Sequence, residues 1–283
     1  MKNIFILSQH RTGSTLLKNI LNSHPNVHIA FDEMNIFDPF KKNTLDKLLN
    51  SKIKTSNDLI GAIKKKQIYG TFWSDFEKSG IDLDIFKDEI DKHHKFNLVS
   101  ILFAVLTMLR KINKTEIVGI KYPIHYSKLD FLIDNFPDSK IIFLTRNPKS
   151  IVASKLKDPA TVKRKSKSIL HRFLTHYFTL LHFSLEFKKS VQLYQKNKNI
   201  LFKVNYESLI LDSKNVLNLI CSYCDIEFQK EMLNVRGKQS SHYQKNIKGL
   251  NHGSLYKFKS TLSNFDMWII DIITSKYYKL INQ

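Results

Sequence analysis

The run Ser8-Gln9-His10-Arg11-Thr12-Gly13-Ser14-Thr15-Leu16 follows the apolar residues Ile4 to Leu7 and leads into Leu16, Leu17, Ile20 and Leu21 at helical spacing. A loop that ends in a helix N-terminus offers unpaired backbone N–H groups and the positive end of a helix dipole. Arg11, Ser14 and Thr15 add donors suited to oxygen, so the loop can cradle a phosphate. The bland reading is a polar turn joining two elements. Neither G-x-x-x-x-G-K-[ST] nor G-x-G-x-x-G is present, because no lysine precedes Ser14 and Gly13 is the loop's lone flexible position. Arg146 follows a second apolar run, Ile141 to Thr145, and Ser154 lies in the first turns of the helix that comes next. An arginine fork with a hydroxyl can hold a second phosphate, although a lone arginine before Asn147-Pro148 serves equally as a surface ion-pair partner. Asp32 and Glu33 close the run Val27 to Phe31, and Lys121 closes Ile117 to Lys121. A carboxylate can take a proton from a hydroxyl and a lysine can neutralise developing negative charge; singly, each also fits a solvated loop charge.

Strands must hold these groups at their carboxyl ends, where α/β folds place ligands. Ile4 to Leu7, Val27 to Phe31, Ile117 to Lys121, Ile141 to Thr145 and Ile200 to Val204 read as short strands, several without alternation, which is the pattern of parallel strands covered on both faces. Helical spacing fills the intervals: 14–21, about 130–136, a long amphipathic stretch after the basic cluster Lys163, Arg164, Lys165 and Lys167, then 215–224, 228–233 and 265–280. After Val235 the chain turns polar as far as Gly253. Residues from about 40 to 115 read as a helical insertion, within which Tyr69, Phe72, Trp73 and Phe76 either pack ordinarily or wall a groove. The expected fold class is α/β: a P-loop-like three-layer fold with a central parallel sheet and helices on both faces, plus that insertion, in one domain over 1–283.

Composition narrows the partners. Lys+Arg 45 against Asp+Glu 25 leaves a net charge of +20, which points to anionic ligands. The basic residues are spread along the chain and no zinc-finger spacing, RNP pattern or basic heptad is present, so nucleic acid is the weaker reading. Cys221 and Cys224 stand in an apolar stretch without a second pair or flanking histidines, which reads as structural thiols, not a zinc site. Every apolar run is too short for a signal core or a membrane span, and a cytoplasmic protein is the expectation.

The motifs taken together resemble the PAPS-dependent sulfotransferases. Q-H-R-T-G-S-T-L-L at 9–17 is similar to their 5′-phosphosulfate loop, and T-R-N-P-K-S-I-V-A-S at 145–154 to their 3′-phosphate motif. V-N-Y-E-S-L at 204–209 resembles a late core strand, and R-G-K-Q-S-S-H-Y at 236–243 sits where the family often closes a loop over the nucleotide. The resemblance implies that Arg11, Thr12, Gly13, Ser14 and Thr15 hold the 5′-phosphosulfate, that Arg146 and Ser154 grip the 3′-phosphate, and that Tyr206, Ser240, Ser241 and Lys257 add nucleotide contacts. It implies Glu33 as the base, as in the tyrosylprotein branch, with Asp32 as the alternative, and Lys121 against the bridging oxygen with Arg11 near the sulfonate.

The cytosolic phenol-sulfating branch begins its loop with a lysine-containing pattern and uses a deep histidine base. Here the loop carries Arg11, and His93 and His94 fall in the insertion, away from a strand end. The departure favours a glycan, lipid or peptide hydroxyl as acceptor, with the cofactor 3′-phosphoadenosine-5′-phosphosulfate (PAPS), the product 3′-phosphoadenosine-5′-phosphate (PAP), and no metal. The alternatives kept open are a nucleotide kinase lacking the usual lysine, a basic nucleic-acid-binding protein and a non-catalytic scaffold.

Overall fold

An apolar run without alternation must be covered on both sides, and β1 (Asn3–Ser8) is buried at every residue. This computed structural model describes residues 2–38, 41–123, 128–165, 168–240, 243–248, 250 and 252–283. After β1 come α1 (Ser14–Leu21), β2 (Val27–Ile29), α2 (Leu45–Ser51), α3 (Ser56–Lys64), α4 (Phe72–Lys78), α5 (Leu83–Asp91) and α6 (Leu98–Asn113). The middle of the chain forms β3 (Ile117–Pro123), α7 (Leu129–Asn135), β4 (Lys140–Thr145), α8 (Pro148–Leu156), α9 (Pro159–Lys165) and α10 (Ile169–Lys196). The last part forms β5 (Leu201–Asn205), α11 (Tyr206–Leu211), α12 (Ser213–Cys224), β6 (Arg236–Ser240), β7 (Tyr243–Lys248) and α13 (Asn264–Asn282).

The result is an α/β fold whose five-stranded sheet runs β2-β3-β1-β4-β5. Val27 stands opposite Ile117 and Ile141 opposite Leu201, both in parallel pairs, and helices flank the sheet on both faces. By its internal contacts the chain divides into two compact units, Met1–Ile6 with Leu21–Lys140 and Leu7–Ile20 with Ile141–Gln283.

In the first unit the helices between β2 and β3 start where short polar side chains can cap them. Thr55 with Asp58 and Asn97 with Ser100 each form a reciprocal capping box at α3 and α6. Their apolar faces meet a ring cluster in which Phe76 lies 4.9 Å from Phe86 and 5.8 Å from Phe72. Phe72, Trp73 and Phe76 are therefore core residues, whereas Tyr69 is half-buried. β2 ends at Ile29, short of the Phe31 that the sequence suggests, because the Phe31 ring turns to pack 5.4 Å from Phe72. Gly119 of β3 allows a close backbone approach: a Cβ there would meet the Ile4 carbonyl oxygen at 2.0 Å.

The second unit pairs β4 with β5 and packs α10 against α8, α9 and α13. Asn147 accepts from the Lys149 N–H at 2.9 Å and Pro148 takes the first turn, which starts α8 directly after Arg146. Cys221 and Cys224 are free and buried, and burial pushes the Cys221 thiol up to about 11. The stretch 228–233 holds only a short 3-10 turn, Lys230–Leu233, in place of the expected helix, since Met232 alone among that turn's residues is buried. The polar run after Val235 holds a hairpin: Arg236 of β6 pairs with Lys248 of β7, with an irregularity between Lys238 and Ser240. No helix among the described residues is long and apolar enough to cross a membrane.

Replacing Gly119 by alanine forces a methyl into backbone with nowhere to retreat. Gly119→Ala is expected to lower stability by about 2–3 kcal/mol, seen as a fall in the urea midpoint with an unchanged slope. An unchanged midpoint would show that β1 and β3 are less tightly apposed.

Candidate functional site

Chemistry-bearing side chains gather in one cluster in each unit. In the second unit the loop after β1 is tied at several points. Gln9 donates to the Phe183 carbonyl at 2.8 Å, the Thr12 hydroxyl donates to the Gln9 carbonyl at 2.9 Å, and the Leu17 N–H bonds the Gly13 carbonyl at 3.1 Å. These ties hold the chain through a left-handed pair of residues, Arg11 at φ 68° and Gly13 at φ 101°. Gly13 is required twice over, since a Cβ would also strike the Tyr206 ring at 2.4 Å. Ser14 and Thr15 open α1 beyond it.

Arg146 ends β4 and is 9% exposed. Its Nη1 donates to the Arg11 carbonyl at 3.1 Å and its Nη2 to the Ser254 carbonyl at 3.0 Å, while the guanidinium lies 4.1 Å over the Tyr206 ring. The Tyr206 and Ser254 hydroxyls bond each other at 2.8 Å. Arg146 Nε is buried without a hydrogen-bond partner, and among the described residues no carboxylate comes within ion-pair distance of the guanidinium. Burial pushes its pKa below the ordinary arginine value; Tyr206 and Glu207 oppose that shift and the Arg11 charge adds to it. Glu207 follows Tyr206, accepts from the Asn147 N–H at 3.0 Å, and is pushed above the usual carboxylate range by its own burial.

Arg11 is held differently. Its Nε donates to the Ser154 hydroxyl at 3.0 Å and its Nη1 lies 3.9 Å from Asp158, which also takes Lys155 at 3.2 Å. Ser154, which the motif resemblance couples to Arg146, thus contacts Arg11. Lys257 is exposed at the start of a 3-10 turn, Ser240 ends β6, and Ser241 lies outside the described residues. Ser254 and Asp158 join the cluster without a sequence signal: Ser254 comes from the patternless polar region and Asp158 follows a helix end with no motif around it.

In the first unit Lys121, 2% exposed, forms an ion pair with Asp32 at 3.8 Å. Asp32 also accepts from the Glu33 N–H at 2.7 Å and from the Thr71 hydroxyl. Tyr69 stands near enough to feel the Asp38 and Glu33 carboxylates, which together with its burial, the larger effect, raise its phenol pKa. The first unit therefore brings together Asp32, Glu33 and Lys121, and adds Thr71 and Tyr69.

A family model described as "Sulfotransferase family" matches residues 3–230. The chain belongs to the sulfotransferase family. Among solved structures, the sulfotransferase domain from the curacin biosynthetic pathway aligns at 19% identity, covering 96% of each chain, with a TM-score of 0.59. The sulfotransferase domain from the Synechococcus PCC 7002 olefin synthase aligns at 17% identity, covering 96% of this chain and 94% of that one, with a TM-score of 0.57. These likenesses show the shared fold. A search of curated proteins finds no match.

The family's PAPS-type nucleotide carries anionic groups, and the second-unit cluster suits them. Arg146 is a buried cation whose hydrogen bonds all go to neutral carbonyls, with an N–H left over, and Gly13 keeps the loop free of side-chain bulk against Tyr206. The Gly13–Tyr206 contact can be measured. Gly13→Ala is expected to cost about 3 kcal/mol, part steric and part from the left-handed backbone. In a Tyr206→Ser background the cost should fall to about 1–2 kcal/mol, the backbone share alone. Equal costs in both backgrounds would show that the ring does not press on the loop.

Proposed function

We propose that this sulfotransferase-family chain transfers the sulfonate of PAPS to an acceptor hydroxyl, with PAP as product. The buried Arg146 guanidinium carries the reading, because a desolvated cation facing only carbonyls and a π-face gains most from an incoming phosphate. Arg146 would hold the 3′-phosphate, while Arg11, Thr12, Gly13, Ser14 and Thr15 form the P-loop-like cradle for the 5′ end. Ser154 serves by fixing Arg11. Tyr206, Ser240, Ser241 and Lys257 complete the proposed nucleotide contacts. Bound PAPS supplies an activated sulfonate, transferred in line.

Glu33 takes the acceptor proton, and Lys121 with Arg11 neutralises charge on the transferring group. Asp32 is the poorer base because Lys121, Thr71 and the Glu33 N–H already engage its carboxylate. The proposed acceptor is a glycan, lipid or peptide hydroxyl, which allies the chain with the tyrosylprotein and carbohydrate branch, and 1–283 works as one functional domain with its insertion at about 40–115.

Calorimetry with PAP, AMP and ATP tests the binding assignment. PAP should bind most tightly, and Arg146→Met should weaken it by ~1.5–3 kcal/mol while leaving AMP nearly unaffected. Unchanged PAP affinity would remove Arg146 from the site. For the chemistry, sulfonate transfer from PAPS to a panel of glycan, lipid and peptide hydroxyls reads turnover. Glu33→Gln should lower kcat about 10²–10⁴-fold and Lys121→Ala about 10²–10³-fold at saturating substrates. A change confined to KM would reassign either residue to uniform binding.

A further inference from the structure

The strongest unexplained feature is an apolar surface on α10 and α13 of the second unit. Leu170, Leu174, Phe178, Leu181 and Leu185 recur every three or four residues along α10 and so share one face, yet all are exposed, Leu170 by 64% and Phe178 by 63%. A stripe of that spacing ordinarily faces a core. Aromatic contacts carry the surface across to α13: Phe173 lies 4.7 Å from Tyr177, Tyr177 6.4 Å from Phe265, and Phe265 stacks on Trp268 at 5.6 Å. Trp268 is itself 58% exposed, and Ile272, one turn on, extends the same outward face of α13. Exposed apolar area of this continuity marks a docking surface.

Charge identifies what docks. α9 packs on α10 and ends in Lys163, Arg164 and Lys165, and Lys165 contacts His176 at 3.0 Å, beside Tyr177. His176 in turn bonds Asp266 of α13 at 2.9 Å, so the basic end of α9 is locked against the edge of the aromatic patch. Arg172 adds positive charge close enough to depress Lys165, whose pKa is lowered chiefly by burial. On α13 the apolar row Phe265, Trp268, Ile272 continues into Lys276 and Lys279. A second copy would bring the same cations and another net +20 to the contact, which opposes self-association. Aromatics and leucines bordered by the α9 cations at one end and by Lys276 and Lys279 at the other, with Glu186 paired to Lys189 and Asp271 to Lys149, match a bilayer interface with anionic headgroups.

We propose that the α10–α13 face seats this protein on an anionic lipid bilayer, with leucine and aromatic side chains entering the headgroup boundary and the α9 cations meeting the lipid phosphates. The seat is peripheral and does not depend on the sulfonate-transfer reading.

Co-sedimentation of the full chain with vesicles, without nucleotide, tests it. Phosphatidylcholine–phosphatidylglycerol vesicles should bind at least about 10-fold more tightly than pure phosphatidylcholine. Leu174→Ser with Phe178→Ser should abolish pelleting, and Lys163→Gln with Arg164→Gln should weaken it by about 5-fold for each cation removed. All four side chains are exposed, so thermal midpoints should stay at the wild-type value, and the charge pair tests the face even if the apolar pair unfolds the chain. No pelleting with anionic vesicles, or equal pelleting with neutral ones, overturns the proposal. So does a dimer in sedimentation velocity that Leu174→Ser with Phe178→Ser dissociates.

Discussion

A guanidinium buried against neutral oxygens is the constraint around which the second unit is organised. Arg146 gives up water for the Arg11 and Ser254 carbonyls and for the face of Tyr206, and none of these cancels a full charge. Each partner then constrains something else. Tyr206 must lie flat beneath the cation, which brings its ring onto the loop and leaves room only for glycine at 13. Ser254 must come in from the far end of the chain, so the segment before α13 is anchored by its carbonyl and its hydroxyl. Among the described residues the nearest full negative charge to act on the guanidinium is Glu207, which is outside ion-pair distance and partly offsets the shift that burial imposes.

The first unit handles a buried cation in the opposite way. Lys121 is more deeply buried than Arg146 but has Asp32 beside it, and Asp32 is in turn supported by Thr71 and the Glu33 N–H. A compensated cation of this kind has its counter-charge within the fold. The Asp32 carboxylate is engaged by that cation, the Thr71 hydroxyl and the Glu33 N–H, a setting that chain order alone does not reveal.

The surface carries a third kind of constraint. Residues along α10 keep the spacing of a core-facing stripe, yet the packing against α8 and α13 uses a neighbouring face made by Leu180, Phe183, Phe187 and Val191. One helix therefore presents apolar side chains over much of its circumference. An apolar face adjoining a basic helix end is a combination that water alone does not explain.

Strand and helix identity was legible in the chain because burial leaves a one-dimensional trace. Unbroken apolar runs became β1 and β4, helical spacing became α1, α10 and α13, and the candidate residues Arg146 and Lys121 fall at or just beyond strand ends. Short-range signals also located Arg11, Gly13 and Arg146. The partners of those residues had no such trace. Ser254 for Arg146, Asp158 for Arg11, and Thr71 for Asp32 are polar side chains in locally unremarkable settings, brought in across 108, 147 and 39 positions by the packing of elements they do not define. The hairpin at 236–248 was equally silent, since polar strands lack the apolar period by which strands are read. Local pattern thus determined the elements and the ends at which chemistry could occur. Which charge would be neutralised and which left bare was decided by tertiary packing, because compensation depends on distance in space and not on order in the chain.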